Sequence, residues 1–201
     1  MRDFYGVYSA CRDAAWRCLI DFEVCRLPVK VLGIARRAGI RVIKDSDVHE
    51  LRDGESGVSI FYMDGWTIVY DDRLPTEDAR FVIAHELGHI FLGHEYRYAS
   101  CRFAFKGKRS FPENEADMFA ARLLSPAFAL HELGVFRARD IEDLCQLPLN
   151  VASVRAKRMT VLETRGCYYK SPLEKQLLER FTPWLDAAKL SADTIKPPEG
   201  G

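Results

Sequence analysis

From Phe81 to Leu92 the chain is apolar on nearly every side of a helix, with Phe81, Val82, Ile83, Leu87, Ile90, Phe91 and Leu92 leaving little polar face for water. Such a helix has to be buried, so the other elements must be arranged around it. Pro75 suits its first helical position, and Glu77 and Asp78 complement the positive end of the helix dipole. Three ionisable residues nevertheless sit inside the apolar stretch: His85, Glu86 and His89. Burying them is costly unless each is paired or ligated.

The spacing His85-Glu86-Leu87-Gly88-His89 places two imidazoles four residues apart, within about 40° of each other on one helical face. Two such nitrogens can share one metal ion. Glu86 lies on the adjacent side, where its carboxylate can take a proton from a water activated at the metal and deliver it to a leaving amine. A catalytic zinc takes three protein ligands and keeps one position open, so a third donor must come from elsewhere.

Glu113 and Glu115, on a helix running from about Pro112 to Leu124, are the candidates. Asp117 follows Glu113 by four residues on the same face, so Glu113 can bind the metal while Asp117 accepts the free N–H of a ligand histidine. Glu115 has no partner at that spacing and is expected to be solvated or to support a ligand. His94 does not fit the HExxHxxGxxH pattern, because Gly93 and His94 stand at the wrong positions after His89. Continued helix would carry His94 about 140° off the face, so it is expected to be peripheral. His94, Tyr96, Tyr98 and Arg97 are nearby candidates to stabilise charge on a substrate carbonyl.

Elsewhere the pattern predicts a helix over 5–25, with Tyr8, Cys11, Ala15, Cys18, Phe22 and Cys25 on a buried stripe. Pro28 can open a second helix reaching Ala38, with Gly39 past its end. A short strand is expected over 40–43, then a connection or a single helical turn over 45–57. Val58 to Met63 and Trp66 to Tyr70 read as a β-hairpin turning at Asp64-Gly65. If the strand Trp66 to Tyr70 forms the sheet edge beside the metal helix, an extended substrate can add to it. Residues 94–112 read as a loop. Helical patterns divided by Gly134, Pro148 and Gly166 follow, and a last helix is opened by a capping box of Ser171 and Glu174.

Lysine plus arginine equals aspartate plus glutamate at 29 each, so no global field draws the molecule to nucleic acid or an anionic membrane. Direct DNA binding and membrane association are therefore not expected. Six cysteines without paired CxxC spacing fit a reduced compartment, and the early charges Arg2, Asp3, Arg12, Asp13 and Arg17 interrupt any export signal. The expected location is the cytoplasm.

The joint stretch Arg80-Phe81-Val82-Ile83-Ala84-His85-Glu86-Leu87-Gly88-His89 and Glu113-Asn114-Glu115-Ala116-Asp117-Met118-Phe119-Ala120-Ala121-Arg122-Leu123-Leu124-Ser125-Pro126 resembles the ImmA/IrrE family of metallo-endopeptidases. The family pattern is RFTLAHExxH, then a glutamate four residues before Asn or Asp, then an alanine-rich segment ending in LLMP; the main departure is Ser125 where Met is usual. The resemblance implies one catalytic Zn2+ held by His85, His89 and Glu113, Glu86 as the catalytic base, and Asp117 supporting a ligand. It also implies an α+β fold: a compact zincin-like, gluzincin-type domain with a small β-sheet and an HExxH helix, followed by a helical C-terminal region. The expected division is a metallopeptidase domain over 1–132, a helical region over 133–196 that can be helix-turn-helix-like, and a disordered tail over 197–201. Members of the family belong to bacteria, phages and mobile elements and act on a helix-turn-helix repressor, so such a repressor is the expected protein partner and substrate.

Two rivals come from other classes. One is a regulator that sequesters its repressor without cutting it. The other is a DNA-binding protein using residues 140–160, where Arg155, Lys157 and Arg158 stand on one helical pattern. Packing, with those basic residues on a solvated face, is the favoured reading of that segment.

Overall fold

The computed structural model describes residues 4–62, 65–94 and 111–195. Met63, Asp64, the stretch 95–110 and residues 196–201 lie outside the described residues, and with them the turn residue Asp64, the candidates Tyr96, Arg97 and Tyr98, and the expected tail. In chain order the elements are α1 (Phe4–Asp21), α2 (Val31–Arg37), β1 (Arg41–Lys44), α3 (Asp45–Val48), β2 (Gly57–Tyr62), β3 (Gly65–Tyr70), α4 (Thr76–Phe91), α5 (Phe111–Leu124), α6 (Ala127–Glu132), α7 (Ala138–Cys145), α8 (Leu149–Arg165) and α9 (Pro172–Ile195). The architecture is α+β, mostly helical with one three-stranded sheet among the described residues.

α4 is the hub, as its apolar sequence requires. It packs on α5, α2 and the sheet, and α5 in turn packs on α1. Ile83, Ala84 and Leu87 of α4 join Phe119, Ala120, Leu123 and Leu124 of α5 in a core that also takes in Leu19, Ile34, Ile68, Phe128 and Phe181. Buried residues from α1 to α9 thus belong to one contiguous interior. Gly88 lets α4 and α5 come together: a Cβ there would lie 3.1 Å from Ala116 Cα and 3.1 Å from Phe119 Cδ1. Arg80 anchors the start of α4 by donating to the carbonyls of Val29 and Cys145.

The sheet has the order β1-β3-β2, with β1 parallel and β2 antiparallel to β3. The segment Trp66–Tyr70 is therefore the middle strand and not the edge; the edge beside α4 belongs to β2. Gly65 pairs with Tyr62 as the first residue of β3, with φ of 144°, and does not occupy the turn itself.

Several boundaries move for identifiable reasons. α1 stops at Asp21 because Glu23 takes a left-handed conformation (φ 52°) and the Val24 N–H closes on the Leu19 carbonyl, a Schellman-type end built without glycine. The buried stripe holds for Cys11, Ala15 and Cys18, but Cys25 lies beyond the helix and is exposed. Pro28 precedes α2 by three residues instead of opening it, and Pro75 is the cap residue of α4 rather than its first. Gly39 does follow α2, with φ of 71°, and the Ile40 N–H closes on Ala35. Glu174 is buried at the start of α9, where burial pushes its carboxyl up and the nearby backbone N–H groups of Tyr169, Lys170 and Ser171 act the other way.

The basic pattern on α8 does not form a solvated face. Arg155 is buried and donates to the Ser125 carbonyl. Arg158 and Arg122 both lie over the Tyr8 ring, at 4.7 and 4.1 Å from its centroid, tying α8 and α5 to α1. Of the three, Lys157 alone is exposed. No helix among the described residues is long and apolar enough to cross a membrane.

Candidate metal centre

α4 presents His85 and His89 from successive turns toward α5, where Glu113 occupies the first turn. Their ligand atoms lie within 4.8 Å of one another. His85 Nε2 is 3.1 Å from Glu113 Oε2 and 3.0 Å from His89 Nε2, and His89 Nε2 is 3.5 Å from Glu113 Oε1. Tetrahedral donors at zinc-ligand distances stand roughly 3.3 Å apart, so the three atoms have the spacing of one face of a coordination sphere. Two imidazole nitrogens pointed at each other also require a proton or a cation between their lone pairs. The residues therefore fit a metal ion, with His85, His89 and Glu113 as its holders.

Tautomers follow from the surrounding bonds. His85 Nδ1–H donates to Asp117 Oδ1 at 2.9 Å, which leaves Nε2 facing the site. This is the part expected of Asp117, and it arises because Glu113 and Asp117 share one helical face. Burial opposes the charged form of His85, but hydrogen bonds to Asp117 and Glu113 and the Glu86 charge outweigh it and raise its pKa to about 10. Burial lowers the pKa of His89. For Glu113, burial acts upward, yet its bonds to both histidines hold it well below the usual carboxylate range.

Glu86 is 3% exposed and lies against the inner face of β2. A Cβ on Gly57 would overlap Val82 Cγ1 and stand 3.2 Å from Glu86 Oε1, so glycine lets the strand approach the carboxylate. Ser59 borders the same group; neither its hydroxyl nor Glu86 Oε2 has a hydrogen-bond partner among the described residues. Burial pushes Glu86 up to about 7, with the His85 charge acting the other way. A buried carboxyl with one unsatisfied oxygen and a pKa near neutrality is suited to proton transfer.

One expectation fails here, and for Glu115 the solvated one of its two readings drops out. His94 is fully buried, with Nδ1 2.8 Å from His89 Nδ1. Helical extrapolation misplaced it because α4 ends at Phe91 and Gly93 turns the chain with φ of 65°, bringing His94 back beneath His89. Glu115 is not solvated: it is 3% exposed and its Oε2 is 3.1 Å from His94 Nε2. Its partner lies 21 residues away in sequence, outside the reach of any i, i+4 rule. Gly57 and Ser59 were missed for a similar reason, since only the sheet order brings β2 to Glu86.

Ser125, the departure from the family pattern, is buried where α5 ends, donating to the Ala121 carbonyl while its own carbonyl accepts from Arg155. It leaves the metal residues untouched.

No curated protein sequence matches the chain. A family model described as the IrrE N-terminal-like domain, Peptidase M78, matches residues 35–157, a span that runs from the end of α2 through the sheet and the two helices that carry His85, His89 and Glu113 to Lys157 in α8. With more than half its length in that match and three donor atoms converging between α4 and α5, the chain belongs to the Peptidase M78 family of ImmA/IrrE-type metallopeptidases.

Proposed function

We propose that this protein is a zinc-dependent endopeptidase of zincin-like, gluzincin-type design, and that its substrate is a cognate helix-turn-helix repressor whose loss derepresses a stress or mobile-element response. The observation that carries the reading is the pairing of a three-donor set, His85, His89 and Glu113, with the buried and incompletely bonded carboxylate of Glu86. When bound, zinc supplies a Lewis acid that polarises a peptide carbonyl and acidifies water. Glu86 takes up the proton released by the attacking water at its carboxylate and passes it to the departing amine. Asp117 holds His85 in register. The site is backed by apolar side chains, so charge interactions within it are little screened.

The substrate path is read from β2. Among the described residues it pairs on one side with β3, and its other edge can accept an extended peptide as an added strand. The exposed aromatic residues Phe61 and Tyr62 at its end offer apolar contact to that segment.

Glu86→Gln tests the reading. All three holders remain, so zinc content is expected to be unchanged, while cleavage of the repressor falls by about 100- to 10,000-fold, the usual worth of a general base. Repressor inactivation at the wild-type level in this variant would mean sequestration without cleavage and would refute the peptidase.

A further inference from the structure

The acids of α5 are spent unequally on the two histidines. Glu113 faces both, and Asp117 supports His85 directly. Glu115 points roughly 200° around the helix from Glu113, so it cannot meet His89 from the side of the donor set. It meets His94 instead, and His94 meets His89.

We propose that His94 and Glu115 are positioning residues that orient His89 through a hydrogen-bond relay and keep its Nε2 lone pair available to the metal. The inference rests on the reading of His85, His89 and Glu113 as a metal site. His89 Nε2 is the nitrogen that faces His85 and Glu113, so the ring proton has to be on Nδ1. That N–H donates to His94 Nδ1 at 2.8 Å. His94, accepting at Nδ1, carries its own proton on Nε2 and donates it to Glu115 Oε2 at 3.1 Å. A single assignment of protons satisfies each link. The opposite assignment, with His94 Nδ1–H donating to His89, forces the His89 proton onto Nε2 and blocks it as a ligand.

Burial makes the relay consequential. His89, His94 and Glu115 are 1%, 0% and 3% exposed, so the relay is shielded from water and the low local dielectric strengthens each bond. The rings of His89 and His94 meet edge to face, 4.8 Å between centroids at 73°, so the bond also sets the plane in which His89 is held. Second partners of this kind raise ligand basicity, and their loss costs about 10- to 100-fold in metal affinity.

The test is zinc affinity, measured by competition with a chromophoric chelator, on the full chain. His94→Leu and Glu115→Leu are each expected to bind zinc about 10- to 100-fold more weakly than wild type. The double variant is expected to be no weaker than His94→Leu, since the relay is already broken. His94→Gln is expected to recover most of the affinity, because its amide carbonyl can accept from His89 and its amide N–H can donate to Glu115. In zinc-loaded wild-type protein, nitrogen-correlated NMR is expected to show an exchange-protected His89 Nδ1–H resonance, a readout independent of whether any variant folds. Wild-type affinity in His94→Leu, a His94→Gln no better than His94→Leu, or absence of the protected resonance would overturn the relay while leaving the metal site standing. Failure of the wild type to bind zinc, or binding unaffected by His85→Ala and Glu113→Ala, would overturn the metal reading and the relay with it.

Discussion

Gly88→Ala probes the contact on which the geometry of the donor set depends. Gly88 stands next to His89 on α4 and faces α5, and the Cβ of alanine would come to 3.1 Å from Ala116 Cα and Phe119 Cδ1 and 3.2 Å from the Ala116 carbonyl oxygen. Carbon contacts relax at about 3.5–4.0 Å, so the helices must part by roughly 0.5 Å. Two effects on stability oppose each other. Replacing a helical glycine gains about 1 kcal/mol, and overpacking costs about 1–3 kcal/mol. The net loss is about 0–2 kcal/mol, a fall in Tm of at most about 8 °C for a chain of this size. Zinc is more sensitive, because ligand distances tolerate only about 0.2 Å and Glu113 lies on the helix being pushed away. Affinity is expected to drop at least about 10-fold, comparable to losing a supporting partner. The assay is the zinc dissociation constant beside the melting temperature of the metal-stripped protein. Gly33→Ala is the control: it lies within α2, its Cβ would meet nothing closer than Lys30 Cβ at 3.6 Å, and it should raise stability by about 0.5–1 kcal/mol without touching zinc. Wild-type zinc affinity in Gly88→Ala, or an equal loss in Gly33→Ala, would refute the argument that helix separation sets the site.

Further outcomes follow from the same geometry. In metal-stripped protein His85 is raised from 6.5 to about 10 and Glu86 from 4.5 to about 7. The His85 contribution to stability is therefore fully present below pH 6.5 and lost as pH rises through 10, and that of Glu86 fades between 4.5 and 7. Melting temperature in the presence of chelator should fall across pH 6.5 to 10, and a rise over that window would contradict the assignment of His85. Gly57→Ala should displace Glu86 while leaving the holders in place, lowering turnover by roughly 100-fold, the usual cost of misplacing a reacting group by about 1 Å. Full activity with normal zinc content would show that β2 does not set the position of the base.

The local signals in the sequence were strong where chemistry and secondary structure share a period. His85 and His89 at i, i+4, and Glu113 and Asp117 at i, i+4, each lie on one helical face, and both pairs meet as that spacing requires. The same rule could not find Glu115 or His94, whose contact depends on where α4 stops and on the turn at Gly93. Nor could it place β3 in the middle of the sheet, since alternation in a strand does not say which neighbours it will have. Arg155 and Arg158 read as solvated because charge usually is; the carbonyl at the end of α5 and the ring of Tyr8, both distant in sequence, bring them inward.

The coordination itself can be observed by anomalous scattering at the zinc absorption edge from crystals grown with zinc. One peak is expected about 2.0–2.2 Å from His85 Nε2, His89 Nε2 and a Glu113 oxygen, with His94 and Glu115 outside bonding distance of it. A peak ligated by Glu115 or His94 in place of Glu113, or no peak between α4 and α5, would contradict the metal centre described above.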